Sequence, residues 1–360
     1  MDLRAHEACR RTVRRRYAFV LGDRFLHETN VSTYPPQPAN KAGEVHEHWS
    51  FFSYDRSRKA LVLRQFHQPQ HVQADEAAAV SAARLTALCW GLVALGSGAA
   101  DAQTTTGTSP AGIFYEASGT GEAVVLIHAF SVDRRMWAPQ IAALEGRFRV
   151  VRYDLRGHGR SEGPLAPYAA HDDLRSVLDA SGIDRATLIG LSAGATVATD
   201  FALAYPKRVV RLVLASPGLS GHVPATSLTW MQPVFAAAGA GDAEKAARLW
   251  LDTPIMALRN DLTVAPTVTD LVMGNVRLWT YKSNPARQLT PAAAGRLAEI
   301  SCPALVILGG EDLPHVKEVA RLIVDGIAGA TLVTIPRAGH LVNLDASGPF
   351  NQAVVSFLAR

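Results

Sequence analysis

The stretch Ala186-Thr187-Leu188-Ile189-Gly190-Leu191-Ser192-Ala193-Gly194 decides how the rest of the chain is read. An apolar run of strand length passes directly into Gly-x-Ser-x-Gly, and residues 193–204 then carry a helical period. A tight strand-to-helix turn of this kind exposes the serine hydroxyl at the edge of a sheet. A Cβ at either flanking glycine would collide with the neighbouring strand and helix. The five-residue pattern arises by chance in many chains, and its strand-turn-helix setting is what gives it weight.

Outward from this turn, apolar runs alternate with helical stretches from residue 111 to the end. Strands are expected at 112–116, 123–127, 149–153, 186–189, 209–215, 304–308 and 331–335. Helices are expected at 136–144, 172–180, 193–204, 316–327 and 350–359. This alternation predicts an α/β fold with a mostly parallel, doubly wound sheet covered by helices. Between residues 219 and 291 the strand pattern lapses into amphipathic helical sequence, so the core is expected at 111–218 and 292–360 with a helical insertion between.

Two further pieces follow the serine in chain order. Leu305-Val306-Ile307-Leu308-Gly309-Gly310-Glu311-Asp312 ends one strand on carboxylates, and Ile335-Pro336-Arg337-Ala338-Gly339-His340 ends the next on a histidine. A serine hydroxyl is a poor nucleophile until a base takes its proton, and the base needs a third group to fix its tautomer and support its charge. Ser192, His340 and Asp312 are the candidates for these roles, with Glu311 and Asp345 as competing carboxylates. His128, His158, His171, His222 and His315 lack the Gly-His context after the last strand, and Ser216-Pro217-Gly218 offers no carboxylate.

Upstream, Val124-Val125-Leu126-Ile127-His128-Ala129-Phe130 ends a strand, and Asp154-Leu155-Arg156-Gly157-His158-Gly159-Arg160-Ser161 follows the next one. With these motifs in this order, residues 111–360 resemble the α/β-hydrolase superfamily. The resemblance implies an oxyanion hole formed by the backbone N–H groups of Phe130 and Ala193, each worth about 3 kcal/mol at the transition state. Ala129 stands where the superfamily usually has glycine; a positive φ there would cost about 1 kcal/mol and tilt the loop. Asp154 and Arg156 are expected to bind backbone or each other.

The insertion resembles the helical cap that shapes substrate pockets in this superfamily. Trp137, Trp230, Trp250, Trp279 and Arg277 are the candidates for lining the pocket. Arg259, Lys282 and Arg287 are further cations that could meet a substrate carboxylate, and solvated cap surface is the simpler reading of them. Trp250-Leu251-Asp252 and residues 291–300, leading into Pro303-Ala304-Leu305-Val306, resemble 3-oxoadipate enol-lactonases. The implied activity is cleavage of a carboxylic ester or lactone through an acyl-enzyme, with water as acceptor and neither metal nor cofactor. Carbon–carbon bond hydrolases and cofactor-free haloperoxidases or perhydrolases share the triad and stay open. Branches with an aspartate nucleophile do not fit Ser192. The alternative of another class is a non-catalytic ligand-binding protein on the same scaffold.

Composition sets outer bounds. At 360 residues, 48% hydrophobic and 19% charged, the chain is globular rather than disordered or coiled coil. Its net charge of +4 is concentrated early: residues 1–102 hold 13 basic and 10 acidic side chains, leaving the remainder almost neutral. Arg10-Arg11 and Arg14-Arg15-Arg16 read as a solvated end, so no nucleic-acid partner is expected. Cys9, Cys89 and Cys302 lie too far apart for a zinc motif or a disulfide framework.

Residues 84–103 combine Arg84, an apolar core of about 11 residues and Ala100-Asp101-Ala102, the three parts of a secretory signal peptide. Two readings stand side by side: a buried helix, or a translation start near Val72 or Val80 that would export a protein beginning near Gln103. Translation from Met1 implies a cytoplasmic chain. The run is too short to span a bilayer, so no stable membrane insertion is expected. Residues 1–70 are β-rich, with about four strands expected as a meander at 17–21, 25–32, 45–54 and 60–67. Gly43–Asp55 and Leu61–His67 resemble the front half of a lipocalin-like or fatty-acid-binding-like barrel. Outward polar positions explain His46, His48 and His67. Gln103–Pro110 reads as a linker.

Overall fold

The computed structural model describes residues 104–225, 227–281 and 285–360, together with four N-terminal strands. The chain divides into two compact units, Met1–Ser97 and Gly98–Arg360. In the first, β1 (Arg16–Leu21), β2 (Arg24–Asn30), β3 (Trp49–Asp55) and β4 (Ala60–Phe66) form a sheet of order β2-β1-β3-β4. The expected meander is corrected: β1 and β3 are parallel neighbours, flanked by two antiparallel hairpins. A meander would pair β2 with β3, whereas β3 lies along β1 and β2 stands on the far side of β1. The signal-like segment 84–103 lies outside the described residues.

The second unit is built on β5 (Thr105–Thr108), β6 (Phe114–Ser118), β7 (Ala123–Ile127), β8 (Arg149–Tyr153), β9 (Ala186–Leu191), β10 (Val209–Ala215), β11 (Ala304–Gly309) and β12 (Thr331–Ile335). They form an eight-stranded sheet of order β12-β11-β10-β9-β7-β8-β6-β5. Strands β7 to β12 are parallel, and β6 and β5 close one side antiparallel. This is the mostly parallel α/β fold expected from the alternation. The central strands are apolar on both faces because both are covered. Val124, Leu126, Ile189, Leu191 and Ile307 pack into one cluster, and their neighbours Val125, Ile127, Leu188 and Val306 into the other.

The expected linker at 103–110 is corrected. Thr105–Thr108 pairs antiparallel with Phe114–Ser118, and residues 109–113 form the turn, closed by Ser109 N–H to Ile113 O (2.9 Å) and Gly112 N–H to Ser109 O (2.8 Å). That turn also moves the next strand two residues later than expected. Thr-Thr-Gly-Thr lies mostly exposed on the sheet edge, so its β-branched residues carried the only strand signal and no apolar alternation supported it.

Between β10 and β11 the chain forms the helices Gln232–Gly239, Ala243–Leu251 and Ala265–Met273 with short 3-10 turns. Their apolar faces, including Val234, Trp250 and Leu271, share one cluster with Ala129 and the sheet. The strand order places a reversal beside β7: the chain moves out to β8, then crosses back to β9 on the other side. Parallel sheets open a crevice at such a point, at the carboxyl ends of the strands. Phe130 follows β7 there and Ser192 follows β9.

Candidate active site

Ser192 occupies the turn between β9 and the helix Ala193–Ala204 at φ 56° and ψ −112°, a strained conformation for a residue with a side chain. Surrounding backbone fixes it. Its N–H donates to Ala215 O (2.9 Å), and its carbonyl accepts from Ala195, Thr196 and Gly218 N–H at 3.0, 3.1 and 3.2 Å. The flanking glycines are needed for space: a Cβ on Gly190 would stand 2.2 Å from Gly194 O, and one on Gly194 2.1 Å from Ile127 O.

Asp312 and His340 hang from the ends of β11 and β12. Their loops are stitched by Gly310 N–H to Ile335 O (2.8 Å) and Glu311 N–H to Ala338 O (2.9 Å). His340 Nδ1 lies 3.0 and 3.2 Å from the two Asp312 carboxylate oxygens, with both side chains buried. Burial opposes the Asp312 charge, but the facing imidazole and the Leu313 N–H (2.7 Å) together hold its carboxyl below the usual value. An ionised Asp312 places the proton on Nδ1 and leaves Nε2 with a lone pair. That Nε2 is buried and has no hydrogen-bond partner among the described residues. The structure contains no hydrogen bond between it and the Ser192 hydroxyl. Of the competing carboxylates, Glu311 is exposed and both oxygens of Asp345 are taken by backbone N–H groups.

The Phe130 N–H has no partner among the described residues, and Ala193, first in its helix, has no intrahelical acceptor. The concern over Ala129 is corrected: the positive φ in this loop falls on Ser131, at 68°. Two features that the sequence did not point to hold the loop. His128 is wholly buried, with Nδ1 2.7 Å from Ala129 O and Nε2 accepting the Leu155 N–H at 2.8 Å. Burial pushes its pKa down to about 4, so it serves as a neutral brace. The Trp250 indole N–H donates to Ser131 Oγ at 2.6 Å. Asp154 accepts the backbone N–H of Arg134 and Arg160 and pairs with the Arg134 guanidinium, whereas Arg156 pairs with Asp173.

The half-exposed ring of Phe130 meets Trp250, Trp279 and His158 edge to face, at centroid distances of 5.5, 5.6 and 5.9 Å. Trp230 lies against Trp250 at 6.1 Å. Two expected pocket residues are elsewhere. Trp137 is fully buried against Phe350, where packing accounts for it. Arg277 directs its guanidinium to the carbonyls of Gly157, His158 and Ser161, so it clamps the insertion to the core instead of awaiting a carboxylate. Arg259 and Arg287 are exposed, and Lys282 lies outside the described residues. Among the described residues no cluster of three or more His, Cys, Asp or Glu side chains is placed to hold a metal ion.

Known proteins resemble this chain in sequence and fold. A 2-hydroxy-6-oxononadienedioate/2-hydroxy-6-oxononatrienedioate hydrolase of Burkholderia vietnamiensis is 31% identical over 69% of this chain and 91% of its own length. The enol-lactonase structure from Burkholderia xenovorans superposes with a TM-score of 0.57 at 28% identity, covering 71% of this chain and all of that one. A thermophilic esterase from Thermogutta terrifontis gives 0.60 at 26% identity, over 72% and 98%. Residues 124–353, from the strand before Phe130 to the last helix, match the alpha/beta hydrolase family, and the chain belongs to it.

Proposed function

We propose that the protein is a serine hydrolase that cleaves carboxylic esters or lactones through an acyl-enzyme. The observation that carries this reading is the buried Asp312–His340 pair, whose unpartnered Nε2 lies at the same sheet edge as the strained Ser192. His340 Nε2 takes the Ser192 proton as Oγ attacks the carbonyl carbon. The oxygen gains charge and accepts from the Phe130 and Ala193 N–H groups. As the C–O bond breaks, His340 returns the proton to the leaving oxygen; for a lactone this group stays tethered to the acyl chain. Water then repeats the sequence, giving up a proton to His340 and releasing the acid and free serine. No cofactor enters the scheme.

The rings of Phe130, Trp230, Trp250 and Trp279 support a flat or alkyl acyl group beside the oxyanion loop. The cation–π contacts among the described residues involve Phe114, Phe148, Tyr168 and Tyr205, none of them these rings. With Arg277 committed to carbonyls, this favours an uncharged remote end over the dicarboxylate named for the Burkholderia vietnamiensis relative. That relative supports a second reading, hydrolysis of a carbon–carbon bond on the same triad.

Intact mass after treatment with a fluorophosphonate probe tests the core of the proposal. One adduct on the wild type and none on Ser192→Ala is expected, with turnover of an aryl ester falling about 10⁴-fold in Ser192→Ala and His340→Ala. Wild-type turnover in either variant would refute the assignment, and absence of an adduct on the wild type would favour a binding protein.

A further inference from the structure

Asp345 is completely buried and makes no ion pair among the described residues. Burying a lone carboxylate is costly unless hydrogen bonds replace its water. Here they do, and they come from two sources. One oxygen, Oδ1, accepts the N–H groups of Asn260 (2.9 Å), Asp261 (2.9 Å) and Arg259 (3.2 Å). The other, Oδ2, accepts Gly339 N–H at 2.6 Å and Arg259 N–H at 3.1 Å. Its backbone carbonyl accepts Asn260 Nδ2 at 2.8 Å.

Residues 259–261 belong to the insertion, and Gly339 is the residue before His340. The two also touch directly, since a Cβ on Gly339 would stand 2.6 Å from Ala257 O. A single buried carboxylate therefore fastens the insertion with both oxygens and, through Oδ2, also the backbone of the residue before the candidate base. We propose that Asp345 is a positioning residue, which makes the placement of the His340 imidazole depend on how the insertion is seated. The proposal rests on the reading of His340 as the general base.

An amide at this position separates the two functions. Asp345→Asn has one acceptor oxygen, and the set of N–H donors around Oδ1 holds it on the insertion side. The amide NH₂ then faces Gly339 N–H, donor against donor, while the Arg259 N–H keeps its second acceptor at Oδ1, so the disturbance falls mainly on the His340 loop. Misplacing a catalytic group by about 1 Å is worth up to about 10²-fold in rate.

The experiment measures kcat and KM for an aryl ester, the fluorophosphonate labelling rate and the melting temperature in the full-length wild type, Asp345→Asn, Asn260→Ala and Ser192→Ala. For folded Asp345→Asn, kcat and labelling rate are expected to fall together by about thirtyfold, with KM changed less than about threefold. Exposed Asn260 keeps the test open should Asp345→Asn fail to fold: loss of its side-chain bond to the Asp345 carbonyl should lower kcat by about threefold at constant KM. Unchanged kcat per folded molecule in Asp345→Asn, or in Asn260→Ala where only that variant folds, would overturn the proposal, as would an effect confined to KM or melting temperature. Persisting turnover in Ser192→Ala would instead remove the hydrolase reading itself.

Discussion

The indole N–H of Trp250 donates to Ser131 Oγ at 2.6 Å, so the insertion holds the residue next to Phe130, the proposed oxyanion donor. Ser131 is buried with a φ of 68°, a backbone state that its neighbours must maintain. Trp250→Phe keeps a ring in place and removes the donor. It should lower kcat by about tenfold and stability by about 1 kcal/mol, read from ester turnover and urea midpoints. A kcat equal to wild type would mean that the bond only joins surfaces.

Gly194→Ala should be far more damaging than its size suggests. The added methyl would meet the carbonyl oxygen of Ile127 at 2.1 Å, and that oxygen belongs to the strand leading to Phe130. Overpacking of rigid backbone costs about 3 kcal/mol or more. Little folded protein is expected on expression, and a well-folded, active variant would contradict the described turn.

Acid should weaken the fold well above the carboxylate range. Burial pushes His128 to about 4 and His158 to about 3, from 6.5 in the unfolded chain. Below pH 6.5 the unfolded state binds protons that the folded state refuses, so stability falls with pH until each folded value is reached. At pH 5 the loss is on the order of 2 kcal/mol per histidine. Asp312, whose pKa is lowered in the fold, adds a loss of the same sign only in stronger acid. Urea unfolding at pH 7 and pH 5 should show this drop, roughly halved in His158→Phe. An identical drop in that variant would remove His158 as a cause.

A chain starting at Gln103 should fold and retain ester turnover, because the hydrolase sheet begins at Thr105. Starting at Ala111 instead removes the strand paired along Phe114–Ser118 and should lower the melting temperature by several degrees. Loss of folding in the chain starting at Gln103 would show that residues 1–102 support the sheet.

The central sheet and the three chemical loops were legible because covered parallel strands are continuous apolar runs, each ending in a motif that its chemistry constrains. Thr105–Thr108 escaped notice because an exposed edge strand needs no apolar alternation. Asp345 was readable as a carboxylate near His340, but its backbone donors come from residues 259–261, and no local pattern announces such a contact. Trp137 and Arg277 were misplaced for a related reason: an aromatic ring or a guanidinium suits a pocket, a core or a row of carbonyls equally well, and only packing decides among them.

The connection from β10 to β11 leaves the sheet at Ala215 and re-enters at Ala304, on neighbouring parallel strands. Parallel pairing obliges it to start at the reactive rim and finish at the opposite one, whatever its length. Extra chain placed early in this connection gathers over the serine, while the strands that hold Ser192, Asp312 and His340 keep their register. What the protein recognises can thus change within one contiguous cassette, and the geometry of the candidate triad beneath it need not follow.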